Sequence, residues 1–445
     1  MARYVPHTQA DKEAMLSKIG LKSTDDFYIH VPKDLKLKKP LNLPQGKSQF
    51  EAAKFLEALA NENKIYPTIL RGAGSYNHLI PAPVRAISSR EEFVTTYTPY
   101  QAEVSQGILQ SIFEYQSMMC ELTGLDISNA SVYDVGCAAA EAMIVCCDKK
   151  NTIVLAGEIN PQVVQVVKTY AYAGNNTVIQ TPSKNGLIDA DALVAAITDD
   201  TACVLAANPN YFGLIEDMDK VSAICKEKNV KFIYQFNPIS CALMKSPGET
   251  GADIAIGEGQ PLGMPLCFGG PYLGIMTCTN SPAMMRRIPG RIVGQTEELI
   301  TGGRTGNRAF VLTLQAREQH IRREKAFSSI CSNQALCALT AAIYLGCMGP
   351  EGLKEVATAC TSKAHYFAKQ LAGISGVSLK FGGEFFHEFV TVSESVDKIL
   401  KALEKQGILG GLKLSKNEIL WCATEAVSKE EIDKAVAIVK EVVGK

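Results

Sequence analysis

The chain has 445 residues, 47% of them hydrophobic, with 45 basic and 46 acidic side chains and a formal net charge of −1. That length exceeds one compact core and implies roughly two or three domains, while the charge balance excludes a general attraction to nucleic acid or to anionic lipid. No run reaches about 18 uninterrupted apolar residues, so no membrane span is expected.

The opening segment, MARYVPHTQADKEAML, lacks the apolar core of a signal peptide and is too acidic for a transit peptide. Its spacing predicts a helix capped by Thr8 with Asp11 three residues on, Met15, Leu16 and Ile19 on one face, and Gly20 as the stop. A connector rich in Pro and Lys (31–44) leads to a second amphipathic helix over 50–60, with Ala53, Leu56 and Leu59 on one side. Residues 1–70 read as a helical arm or subdomain. From Arg71 a loop-rich stretch carries GAGSYNHLIPAPVRAI and YTPYQAEVSQG. It feeds a long helix in which Val104, Ile108, Ile112, Tyr115, Met119 and Leu122 recur at spacings of three and four, ending at Gly124. Apolar strands at 152–156, 177–180, 202–207, 231–236, 253–256 and 273–278 then alternate with helices at 161–170 and 217–228. That pattern predicts a large α/β domain over 71–325 around a mostly parallel sheet. A charged helix is expected over 317–325, and a small-residue helix over 328–345. Strands at 377–381, 386–392 and 418–422, with helices at 396–405 and 429–443, make 326–445 a small α+β domain.

The 14 cysteines contain no Cys-x-x-Cys, and most lie in apolar runs, such as Cys203, Cys267 and Cys278. They read as reduced, buried thiols of a cytoplasmic protein. The six histidines show no zinc spacing. Gly257-x-Gly259-x-x-x-Gly263 misses the dinucleotide fingerprint by one residue, and no Walker lysine is present. GGRTGNR (302–308) could cradle an anion but reads as a solvated loop.

Residues 232–274 resemble the cofactor region of fold-type I enzymes that use pyridoxal phosphate (PLP). In those enzymes the first strand ends in an aspartate that keeps the pyridine protonated, and the loop after the second carries the Schiff-base lysine. Here Gln235 takes the aspartate's place, and Gln260, Pro261 and Leu262 take the lysine's. No lysine occurs between Lys245 and Lys325. A neutral amide cannot hold the proton, and nothing in the loop can form an imine. Asp134 and Cys137, in the turn VYDVGCAAAEAM, occupy the region that cradles the phosphate in such enzymes, and Asp134 would repel an anion. The pocket reads as closed and degenerate, with no cofactor bound covalently to this chain.

TPYQAEVSQG, LTGLDISNASVYD, AAAEAM, IPGRIVG and GNRAFVLTLQAREQHIRREKA followed by NQAL occur in fixed order, and together they resemble the glycine cleavage system P-protein, the decarboxylating glycine dehydrogenase. The resemblance runs the length of the chain and corresponds to the N-terminal half of the single-chain form. In the two-polypeptide form this half is subunit 1, the partner without the lysine. The resemblance implies a fold-type I architecture and a PLP-bearing subunit 2 as partner, assembled as α2β2. It also implies glycine as substrate, release of CO2, and transfer of the aminomethyl group to the lipoyl arm of H-protein. Tyr97, Thr98, Tyr100 and Gln101 belong to the family block YTPYQ, which the resemblance sets near the partner's active site; the alternative is that both tyrosines merely pack.

Neighbouring residues carry plainer expectations. Glu103 reads as a carboxylate at a helix start, and His78 as a turn cap. Arg317, His320, Arg322 and Arg323 read as a charged helix face or intersubunit ion-pair set, or as a surface for an acidic H-protein or a substrate carboxylate. Two other functional classes stay open: a non-catalytic scaffold or regulatory pseudo-enzyme, and a self-sufficient PLP enzyme using another lysine such as Lys245.

Overall fold

The computed structural model describes residues 6–330 and 332–444. The chain divides into two compact units after Ile65.

In the first unit the two expected helices form, α1 (Gln9–Lys18) and α2 (Gln49–Ala60). Both start with reciprocal capping boxes, Thr8 with Asp11 and Ser48 with Glu51, as the spacing predicts. Neither helix has a buried residue; Phe50, Phe55 and Leu56 are all exposed.

The second unit is built on a seven-stranded sheet. Its strands in chain order are β1 (Ile127–Ser128), β2 (Thr152–Ala156), β3 (Thr177–Gln180), β4 (Thr201–Asn208), β5 (Lys231–Phe236), β6 (Ile254–Glu258) and β7 (Gly274–Cys278). The spatial order is β1-β7-β6-β5-β4-β2-β3. The five strands from β6 to β3 are parallel, and β7 and β1 add antiparallel at the edge. Successive side chains alternate between faces. Ile153, Leu155, Cys203, Leu205, Ile233 and Ile256 pack with the helices α3 (Val135–Cys146) and α4 (Pro161–Ala173). Val154, Val204, Ala206, Phe232 and Tyr234 pack on the opposite side with Met218, Val221 and Tyr344. Both faces are covered, which explains the continuous apolar strands.

A second sheet of four strands, Ser378–Leu379, Glu388–Val392, Glu418–Cys422 and Leu412–Ser415, carries the helices Val396–Lys405 and Lys429–Val443. Its core centres on Phe367, Phe389 and Trp421, whose Nε1 donates to Thr391 Oγ1 at 2.8 Å. The helix Ala335–Ala372 is the one described segment long and apolar enough to cross a membrane. Its backbone breaks at Gly349 (φ 61°, ψ −179°) before Pro350. Cys337 and Ala341 pack on the large-sheet side, and Phe367 and Leu371 in the small-sheet core.

Several sequence expectations are corrected. GGRTGNR is part of a hairpin rather than a loop: Ile292–Ile300 pairs antiparallel with Gly303–Thr313. From Gln295 to Arg308 every residue but Thr296 is exposed, so no apolar alternation announces the strands there. The charged helix over 317–325 is three short turns, interrupted where Arg323 adopts φ 55° and ψ −126°. Val104 lies in the 3₁₀ turn Ala102–Val104 and is exposed; the helix proper is Gln106–Thr123, and Glu103 shares the turn rather than the helix start. Cys267 is exposed, whereas Cys203 and Cys278 are buried as expected. The short strands Ile408–Leu409 and Leu412–Ser415 escape prediction because glycines interrupt them.

Candidate active site

The ends of β5 and β6 and the N-terminus of α3 face one another across a cavity of about 60 Å³, lined among others by Tyr76, Asn160, Gln235 and Glu258. Gln235 stands beside Ile256 in register, and its buried Oε1 has no partner among the described residues. Gln260, at the lysine's place, is 1% exposed and spends its amide on the polypeptide. Its Oε1 accepts from the Tyr76 amide at 2.8 Å, and its Nε2 donates to the carbonyls of Tyr76 (2.9 Å) and Met264 (2.8 Å). Pro261 and Leu262 are buried beside it.

Sequence reasoning missed Glu258, the last residue of β6. Its Oε1 accepts from the N–H groups of Gln260 (3.1 Å) and Leu273 (3.0 Å), and its Oε2 from Val135 (3.2 Å), the first residue of α3. Burial pushes this carboxyl up to about 7, against the pull of those three donors. Asp134 caps the same helix, accepting from the Cys137 N–H at 2.7 Å. Two carboxyl groups of the chain itself thus take donors that a helix N-terminus would offer to a bound anion. Ligand pockets are on the order of 300–1,000 Å³, far above this cavity. The residues present do not fit PLP: no amine for an imine, no acid for the pyridine, and no free cradle for the phosphate. The one available signal was a lone glutamate closing an apolar strand.

Behind Gln260, Tyr76 donates to Glu388 Oε2 at 2.8 Å, and the Ala73 N–H donates to Glu388 Oε1 at 2.6 Å. Burial pushes Glu388 up to about 7 and His387 well below its usual range. His78 does not cap a turn. Its Nδ1 lies 2.7 Å from Glu425 Oε2, an oxygen that also accepts from the Cys360 thiol at 3.2 Å, while the other oxygen takes the Leu79 N–H at 2.7 Å. The reason is tertiary: Thr424 Oγ1 donates to the Asn77 carbonyl and brings the two segments together. Lys245 lies on the surface, paired with Asp219 at 2.7 Å.

None of Tyr97, Thr98, Tyr100 and Gln101 lines that cavity. They form an outward-facing loop. Tyr97 is 86% exposed, Tyr100 46%, Gln101 is exposed, Thr98 half-buried, and Pro99 is buried beneath them. Tyr97 therefore does not pack within this chain. Under the loop, Arg291 Nη2 donates to the Tyr100 oxygen at 2.9 Å, and the His320 ring meets Tyr100 edge-on at 5.7 Å. Arg317 turns inward, donating to the Ile288 carbonyl and, at 2.6 Å, to the Gly290 carbonyl. Arg322 and Arg323 are exposed. Arg291, inside IPGRIVG, drew no attention as a single residue in the sequence.

Residues 2–439 match the glycine cleavage system P-protein family. This chain belongs to that family. A relative from Moorella thermoacetica, named probable glycine dehydrogenase (decarboxylating) subunit 1, is 46% identical over 98% of this chain and 99% of its own. A P-protein glycine decarboxylase crystallised in inhibitor-bound form superposes with a TM-score of 0.91 at 35% identity, covering 99% of this chain and 100% of that one. The sphingosine-1-phosphate lyase of Burkholderia pseudomallei reaches a TM-score of 0.66 at 15% identity over 93% of this chain and 94% of its own, a likeness of fold alone. The expected fold-type I architecture is thereby the observed one, and in this P-protein chain the cofactor region of that fold is filled by Glu258 and Gln260.

Proposed function

We propose that this chain is subunit 1 of the two-subunit glycine dehydrogenase (decarboxylating). With a PLP-bearing subunit 2 it releases CO2 from glycine and passes the aminomethyl group to lipoylated H-protein. The observation that carries this reading is a blocked cofactor region inside a chain that is P-protein along its whole length. PLP, held by the partner, supplies the electron sink for decarboxylation. This chain's own part is to present Tyr97, Thr98, Tyr100 and Gln101 to the partner's site, where two phenols, a hydroxyl and an amide hold a polar substrate without adding charge. Pro99, buried under the loop, stiffens it, and the Tyr100 N–H closes on the Thr98 carbonyl at 2.9 Å.

The assembly we favour is α2β2 in the cytoplasm, and the working division of the chain is 1–70, 71–325 and 326–445. The self-sufficient reading loses support because Lys245 is ion-paired with Asp219 on the surface. The deciding experiment mixes the purified chain with its PLP-bearing partner and follows glycine-dependent exchange of CO2. Activity is expected only in the mixture; a partner fully active alone defeats the reading. Turnover and KM for glycine that both survive replacement of Tyr97 and Tyr100 by Phe favour the scaffold instead.

A further inference from the structure

Arg291 is 2% exposed, yet no carboxylate pairs with it among the described residues, and its Nε has no hydrogen-bond partner. An unpaired buried cation is costly, and a fold retains one where the charge is used. Among the described residues the only side chain it bonds is Tyr100, through Nη2 at 2.9 Å, with the guanidinium carbon 5.2 Å from the ring centre.

The turn that carries Arg291 is held from several sides. Arg317 donates to the carbonyls of Ile288 and Gly290, Asn129 Nδ2 donates to the Pro289 carbonyl at 2.9 Å, and the Ala130 N–H donates to the Arg291 carbonyl at 2.7 Å. Gly290 has φ +76°, and a Cβ there would fall 3.1 Å from the Ser131 carbonyl oxygen. The guanidinium is therefore fixed relative to the sheet edge rather than free to follow a ligand.

Arginine only donates. The Tyr100 oxygen is consequently the acceptor in this bond, and its own proton is left to donate outward from a ring that is 46% exposed. A cation behind the oxygen polarises that O–H toward an anionic acceptor.

We propose that Arg291 is a positioning residue for Tyr100, and that the pair presents a polarised phenolic O–H to the carboxylate of the substrate bound in the partner's site. Arg317 acts one step further back, by holding the turn. This inference rests on the reading that Tyr100 reaches the partner's site, and the two can fail separately.

The test uses R291Q, R291K, Y100F and R291Q/Y100F. Each isolated chain is labelled at the tyrosine ring carbon that bears oxygen and recorded by NMR. Each is also assayed with the PLP-bearing subunit for kcat and for KM toward glycine. The Tyr100 resonance is expected to move in R291Q and to be largely restored in R291K. In the complex, R291Q and Y100F should each raise KM about tenfold with kcat little changed, and the double variant no further, because both remove one interaction. An unmoved resonance in R291Q, or additive losses in the double variant, overturns the proposal. A moved resonance with unchanged KM shows the contact is real but Tyr100 serves no substrate, which overturns the proposal together with the reading beneath it. Loss of PLP retention in place of a change in KM overturns the carboxylate assignment. Should R291Q not fold, the half-exposed Y100F carries the test: unchanged KM there is sufficient to reject it.

Discussion

Glu141, Glu258 and Glu388 share one predicament. Burial raises each carboxyl from its usual 4.5 to about 7. An acid raised in the folded state binds more protons there than in the unfolded chain, so stability is fully present below about 4.5 and is lost as pH rises through about 7. Urea unfolding should show the midpoint falling across that interval. Replacing Glu388 by Gln should flatten the slope, because the amide oxygen can still accept one of the bonds from Tyr76 and Ala73 while nothing remains to ionise. A midpoint that rises with pH over the same range would contradict the assignment.

Helix caps separate what local sequence decides from what tertiary contacts decide. The box at Ser428 and Glu431 starts the helix Lys429–Val443, which buries Ile432, Ala435 and Val439. Thr8 and Asp11 start α1, which buries nothing. Ser428→Ala should cost about 1 kcal/mol of global stability, read as a lower denaturant midpoint. Thr8→Ala should leave the global midpoint alone and reduce only the helical signal of a ten-residue element that is marginal by itself. The same distinction explains what could be read in advance. Strands β2, β4, β5 and β6 were legible because both their faces are buried, so composition alone marks them. The hairpin Ile292–Thr313 was not, since its exposed arms carry Glu297, Arg304 and Arg308 where a half-buried strand would alternate. The false helix over 317–325 failed at Arg317 and Glu318, whose side chains turn inward against the helical period.

At the scale of the whole molecule, the sequence showed what the cofactor region lacks, and the structure shows what has replaced it. Missing residues at 235 and 260 can be read by position within a known layout. The replacement cannot, because Glu258 meets Val135 from across 123 residues of chain, and no periodicity reports such a contact. The same holds for Arg291 beneath Tyr100, 191 residues away. One expectation separates absence from replacement. Gln260→Lys alone restores the amine but not the space or the cradle, so the variant incubated with PLP should carry no borohydride-trapped adduct at position 260, read by peptide mapping. Adduct formation by that single change would mean the region is merely unfurnished.

Tethering makes the difference. A free anion in that cradle would exchange with solvent and yield to a competitor at sufficient concentration. A carboxylate built into the strand is supplied at an effective concentration set by the chain itself, which no added phosphate can dilute. PLP offered to this chain at any concentration therefore meets a vestibule whose donors are already taken.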